Sequence, residues 1–150
     1  SWVLAFGWTL AICGGLVNVV SFRAWALFVS HMTGATSSIG THIEGYQQRD
    51  TEFSSLAFAL LVVGSFVFGA FTCGMLIDKN QVHFGGKSFY GLALVANAVL
   101  LMVAVCLTDK SKVAAAQRQI VPACIAACAA CLQNDMCTSH FGAVVRTTHV

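Results

Sequence analysis

Three long stretches without a charged side chain or a histidine dominate this chain. They cover Trp2 to Phe22, Phe53 to Ile77 and Ser88 to Thr108. Each reaches the roughly 20 residues that a helix needs to cross a hydrocarbon core of about 30 Å. Lipid offers the backbone no hydrogen bonds, so a segment that crosses it must satisfy its own N–H and C=O groups, as a helix does. The sequence therefore predicts an all-α membrane protein.

A fourth apolar segment, Ile120 to Leu132, is shorter and consists mainly of alanine and cysteine. Pro122 suits the first turn of a helix, where its missing N–H is no loss. A short helix of small residues is stable in a membrane when protein surrounds it, so we expect a central, tightly packed and broken helix here. The prediction is a polytopic bundle with at least four transmembrane segments. Only 9% of the residues are charged, against about 25% in soluble domains.

A short polar motif occurs twice, each time after an apolar stretch. The first copy contains His31 and follows Asn18 by thirteen residues; the second contains His149 and follows Asn134 by fifteen. Two long apolar spans and the start of a third separate the histidines. A unit of three membrane crossings that occurs twice must have opposite orientations in its two copies, because three is odd. This layout is typical of inverted-repeat transporters. It predicts one integral membrane domain, residues 1–150, belonging to a six-helix 3+3 inverted repeat, with a first repeat of about 1–110 and a second, incomplete repeat of about 111–150.

Polar groups at membrane depth are costly and by default mark a pathway or a binding site. A histidine there can carry a proton or contact an anion, and Arg146 adds a permanent positive charge. Two alternatives stay open: the histidines cap helix ends at the lipid headgroups, and Asn97 only bonds one helix to another. The predicted substrate-binding residues are Asn18, Ser30, His31, Thr33, Asn97, Asn134, Arg146, Thr148 and His149.

The cysteines favour packing over chemistry. Cys128 and Cys131 form a C-x-x-C pair late in an apolar helix, where burial opposes the thiolate that redox chemistry needs. Cysteine otherwise behaves as a small hydrophobe. No nucleotide-binding loop, zinc-protease motif or nucleophile elbow is present, so we do not expect an enzyme. Haem or pigment binding would depend on His31, His140 or His149, but no haem attachment motif occurs, and the cofactor stays unknown.

Several motifs together resemble the YoaK-like family of uncharacterised multi-pass membrane proteins. They are Gly15-Leu-Val-Asn-Val-Val-Ser-Phe22, Phe28-Val-Ser-His-Met-Thr-Gly34, Gln133-Asn134 and Gly142-Ala-Val-Val-Arg-Thr-Thr-His-Val150. The resemblance covers essentially the whole chain and implies an all-helical protein of roughly six spans, without an established activity. Family members often carry Asp where Asn18 stands here.

The expected function is a transporter-like or small-solute-binding membrane protein, for an anion or a proton-coupled solute. The alternative is a non-catalytic subunit of a larger membrane complex, beside pigments or lipids. Expected partners are membrane lipids and, through the small-residue helix faces, other membrane subunits. A net charge of +2 without a basic stripe gives no support for nucleic acid. The membrane is a plasma membrane or an inner or thylakoid-type organelle membrane.

Overall fold

A computed structural model describes residues 2–25, 27–47, 53–76, 87–114 and 119–141. Within these ranges every regular element is a helix, as the uncharged stretches predict. The helices are α1 (Trp2–Trp25), α2 (Met32–Gln47), α3 (Phe53–Leu76), α4 (Lys87–Cys106), α5 (Lys110–Ala114) and α6 (Ile120–Phe141).

Three of the described helices are long and apolar enough to cross a membrane. The spans are Ala5–Trp25, Leu56–Leu76 and Ile120–Thr138, in α1, α3 and α6. The apolar part of α4, Gly91–Cys106, is shorter than a full span. The structure thus supports a helical membrane protein with three candidate spans, where the sequence predicts at least four.

Two helices extend further than the sequence predicts. The helix α1 continues through Arg23 to Trp25. The Arg23 side chain is exposed, and a long charged side chain on a helix surface does not end the helix. The helix α6 continues past the apolar core to Phe141 and has no break over its described length. The polar residues after Leu132 are therefore helical and belong to the bundle.

Two apolar clusters establish the direction of each long helix. One joins Trp25 of α1 to Phe58 of α3, Ala104 of α4 and Ala123 of α6. The other joins Leu10, Cys73, Ala93 and Leu132 of the same four helices. The first cluster lies at the ends of α1 and α4 and at the starts of α3 and α6. Consecutive long helices therefore run in opposite directions, and α1 is antiparallel to α6.

The alanine-rich helix α6 lies at the centre of the bundle. Its span is 67% buried, against 28% for α1 and 33% for α3. The interfaces of α6 with α3 and with α4 are the most extensive between described helices. Alanine lets helix axes approach closely, so the helices of the bundle are stabilised by close packing rather than by the burial of large side chains. The sequence-based expectation of a central, tightly packed helix is met.

The closest backbone approach lies between α3 and α6. A Cβ atom added to Gly69 would lie 2.3 Å from the Cys128 carbonyl oxygen and 3.1 Å from the Cys128 Cα. Only glycine fits at such a distance. The backbones of α3 and α6 thus meet directly at Gly69 and Cys128.

None of the seven cysteines, all of which lie in the described ranges, forms a disulfide bond. Cys131 belongs to the apolar cluster around Trp25, and Cys73 and Cys137 belong to the cluster around Leu10. Cys124 is half-buried against the first of these clusters. These positions agree with a packing role.

Candidate functional site

The backbone is not helical between α1 and α2, and this break lies beside the body of α1. After Trp25 the chain turns back along α1, so that Phe28 stacks on Phe22 with ring centroids 4.5 Å apart. Ser30 lies beside Asn18, seven residues before the end of α1, which is about 10 Å along the helix axis. Residues 27–31 therefore re-enter the bundle from the end of α1. The serine, threonine and glycine content of residues 30–41 predicts a half-helix or re-entrant segment that starts here, and α2 occupies most of that range.

The side chain of Asn18 holds this re-entrant backbone. Its Nδ2 donates a hydrogen bond to the Ser30 Oγ, and its Oδ1 accepts one from the Ser30 backbone N–H at 3.2 Å. Ser30 is only 2% exposed, so water cannot replace these bonds at low cost. Non-helical backbone at membrane depth is tolerated where protein or a cavity covers it, and Asn18 supplies that cover.

The helix α2 begins directly after the fixed serine. The His31 carbonyl accepts the hydrogen bond of the Ala35 N–H at 3.3 Å, which makes His31 the N-cap of α2. The positive end of the α2 dipole therefore lies near Ser30. The imidazole ring of His31 packs on Phe28, with centroids 5.3 Å apart, and remains exposed to the surroundings.

A second polar connection joins α4, α6 and α1. Asn97 Nδ2 donates to Gln133 Oε1 at 3.2 Å, and Gln133 Nε2 donates to the Leu10 carbonyl oxygen at 3.0 Å. Both amides are buried, at 7% and 6% exposure. Gln133 thus joins the central helix to α4 and α1 by two hydrogen bonds of its buried side chain.

The two polar connections border one small cavity of about 10 Å³. That volume is close to the 10–15 Å³ that one water molecule requires. The Asn97 Oδ1 is buried and has no hydrogen-bond partner among the described residues. The lining residues are Gly14, Val17, Asn18, Ser30, Asn97, Leu101, Ala130 and Gln133.

The structure brings three of the nine predicted site residues together: Asn18, Ser30 and Asn97 all line the cavity. Asn134 is buried and its Oδ1 has no partner among the described residues, but it does not line the cavity. His31 and Thr33 are exposed. The predicted site residues Arg146, Thr148 and His149 lie outside the described residues.

Two polar residues of α6, Gln133 and Asp135, were not predicted as site residues from the sequence. Gln133 lines the cavity, although only its neighbour Asn134 was predicted to bind substrate. The sequence feature that could have identified Gln133 is its spacing of three residues from Ala130, which also lines the cavity. That spacing places both residues on the same helix face. Asp135 is half-buried inside the candidate span Ile120–Thr138, where carboxylates are costly and often functional. No group of three metal-ligating side chains occurs in the described part of the chain.

A comparison with protein families gave one match that covers almost the whole chain. The family is described as a protein of unknown function (DUF1275), and its model matches residues 6–150. An uncharacterised family is consistent with the YoaK-like resemblance. No curated protein and no solved structure matched the chain.

Proposed function

The chain belongs to the DUF1275 family, and we propose that it is a non-enzymatic, transporter-like membrane protein that binds a small solute at the break between α1 and α2. The observation that carries this proposal is the Asn18–Ser30 pair, which holds non-helical backbone beside a polar cavity. Broken helices whose free backbone groups face a central site are how many secondary transporters bind their solutes. A hydrogen bond that only joined two helices would not require non-helical backbone at the depth of Asn18.

The proposed site lies where several spans meet. In this proposal, α4 is a fourth membrane crossing. Asn18 and Ser30 come from the α1–α2 region, Asn97 from α4 and Gln133 from α6. A solute bound there contacts elements that run in opposite directions, so their relative movement changes its access. Alternating access in transporters depends on movements of this kind around a fixed site.

We further propose the 3+3 inverted repeat, with α6 as the counterpart of α1. Two observations support it: α1 and α6 are antiparallel, and each carries an asparagine that is not exposed, Asn18 in α1 and Asn134 in α6. In this arrangement, His31 and His149 belong to equivalent motifs of the two repeats.

The repeat predicts that His31 and His149 open to opposite faces of the membrane. Single cysteines placed at each position, in a variant whose native cysteines are replaced by alanine, should react with a membrane-impermeant maleimide from opposite sides of sealed vesicles. A cysteine in place of the exposed Glu44 marks the face on which α2 ends. Labelling of both histidine positions from the same side contradicts the repeat.

Uptake by the purified protein in liposomes is the direct test of transport. We expect His31→Ala and His149→Ala to reduce the uptake of a responsive solute several-fold, because both motifs belong to the proposed site. His42→Ala, a histidine further along α2, serves as the control. If neither site variant changes uptake, these histidines are not part of the site.

A second candidate function is that of a non-catalytic subunit of a larger membrane complex. Its support is the helix α1, which buries little of its span and exposes Trp8, Ile12, Leu16 and Val19 along one side. A partner helix or lipid would cover that surface. Uptake by the isolated protein favours the transporter proposal, whereas no uptake, together with a stable co-purifying membrane subunit, favours this second one.

A further inference from the structure

The polar side chains that line the cavity are all neutral. They are the amides of Asn18, Asn97 and Gln133 and the hydroxyl of Ser30, and the remaining lining residues are apolar or glycine. An ion that enters the cavity would lose its hydration without meeting an opposite charge, which makes burial of the charge unfavourable. The cavity therefore selects against charge.

A buried hydrogen-bond acceptor without a partner indicates which hydrogen-bonding group a bound molecule must provide. The Asn97 Oδ1 is a buried acceptor without a donor, and such a group is costly to leave unsatisfied. It repels an anion and attracts an N–H or O–H donor. The positive N-terminal end of α2, which begins two residues after Ser30, disfavours a bare cation.

The size of the cavity limits the part of the solute that enters it. About 10 Å³ accommodates one water-sized group. A single hydroxyl matches this volume and carries both the donor that the Asn97 Oδ1 lacks and an acceptor for an amide N–H.

We infer, resting on the proposed function, that the cavity binds the hydroxyl group of a small uncharged solute such as a polyol and excludes inorganic ions. This solute class differs from the anion or proton-coupled solute that Arg146 and the histidines suggest from the sequence. The decisive contact is between the solute hydroxyl and the Asn97 Oδ1.

The neutrality of the cavity can be tested without transport, through the stability of Asn97→Asp in detergent. A carboxyl group has nearly the shape of the amide, and an unfolded aspartate has a pKa of about 4. Because the neutral cavity disfavours the carboxylate, loss of the proton costs the folded variant more free energy than the unfolded chain, and stability falls as the pH rises past about 4. We expect the melting temperature of the variant to drop between pH 4 and pH 8 relative to wild type. An unchanged difference between variant and wild type over this range, or a sodium-specific stabilisation of either protein relative to choline at equal ionic strength, overturns the inference.

Solute selectivity is tested in proteoliposomes, with erythritol as the neutral probe and radioactive sodium and chloride as the ionic probes. We expect wild-type protein to accelerate erythritol entry at least tenfold over protein-free liposomes, Asn97→Leu to remove the acceleration, and both ions to remain at background. Ion flux without erythritol flux refutes the neutral-solute inference but leaves transport standing. If no probe crosses, the proposed function itself fails, and the Asn97→Asp result still decides whether the cavity is neutral.

Discussion

Replacing Gly69 by alanine is expected to destabilise the helix bundle by about 1–3 kcal/mol, and replacing it by leucine by more than that. The added Cβ would lie 2.3 Å from the Cys128 carbonyl oxygen, a backbone atom that cannot move aside as a flexible side chain can. The helices α3 and α6 would have to separate, and they form the most extensive interface among the described helices. Thermal unfolding of the purified protein in detergent measures the loss.

The same helix provides matched controls for Gly69. A Cβ at Gly64 or Gly74 has no neighbouring atom within 4 Å. Alanine there relieves the low helix propensity of glycine, by up to about 1 kcal/mol, without a clash. We expect Gly64→Ala and Gly74→Ala to unfold at or slightly above the wild-type temperature. Equal behaviour of all three alanine variants contradicts the close approach of α3 and α6.

Replacing Asn18 by leucine is expected to reduce solute uptake at least tenfold while the protein remains in the membrane. The substitution removes both hydrogen bonds to Ser30, and each buried group left without a partner costs about 1–3 kcal/mol. The re-entrant backbone then loses its fixed position beside the cavity. Uptake into proteoliposomes measures the effect, at protein amounts equalised by gel filtration.

Aspartate at position 18 distinguishes the loss of these hydrogen bonds from a general effect of substitution. A carboxyl group has an oxygen that accepts the Ser30 N–H and a second oxygen that pairs with the Ser30 hydroxyl. Because the cavity beside position 18 is neutral, we expect Asn18→Asp to retain much of the uptake that Asn18→Leu loses at a pH low enough to keep the carboxyl group protonated. Normal uptake by Asn18→Leu removes the helix break from the transport site.

The helices and the central position of α6 follow from the sequence by local physical rules. Uncharged runs of membrane length specify α1 and α3 because lipid leaves the backbone no other conformation. The alanine and cysteine content of α6 specifies its central position because such a helix has little side-chain surface to offer lipid. The end of α1 is less predictable, since Arg23 can lie on a helix that continues past it.

The cavity depends on how residues distant in sequence are brought together. Asn18 and Ser30 belong to neighbouring motifs twelve residues apart, and their proximity is suggested by the short distance along the chain. Gln133 meets the Leu10 carbonyl across more than a hundred residues, and no local pattern specifies that contact. Whether a buried amide binds a solute or another helix depends on the partners that packing provides: the Asn97 Nδ2 donates to Gln133 of α6, whereas the Asn97 Oδ1 has no partner among the described residues.

The central position of α6 has a consequence for the way the protein is made. The ribosome delivers α1, α3 and α4 first, since synthesis proceeds from the N-terminus. Among the described helices, these three share only small interfaces with one another, and the two largest interfaces join α6 to α3 and to α4. The early helices therefore leave the ribosome before they have a common partner. The packing of α3 and α4 into one bundle waits for the synthesis of α6, with which both form their largest interfaces.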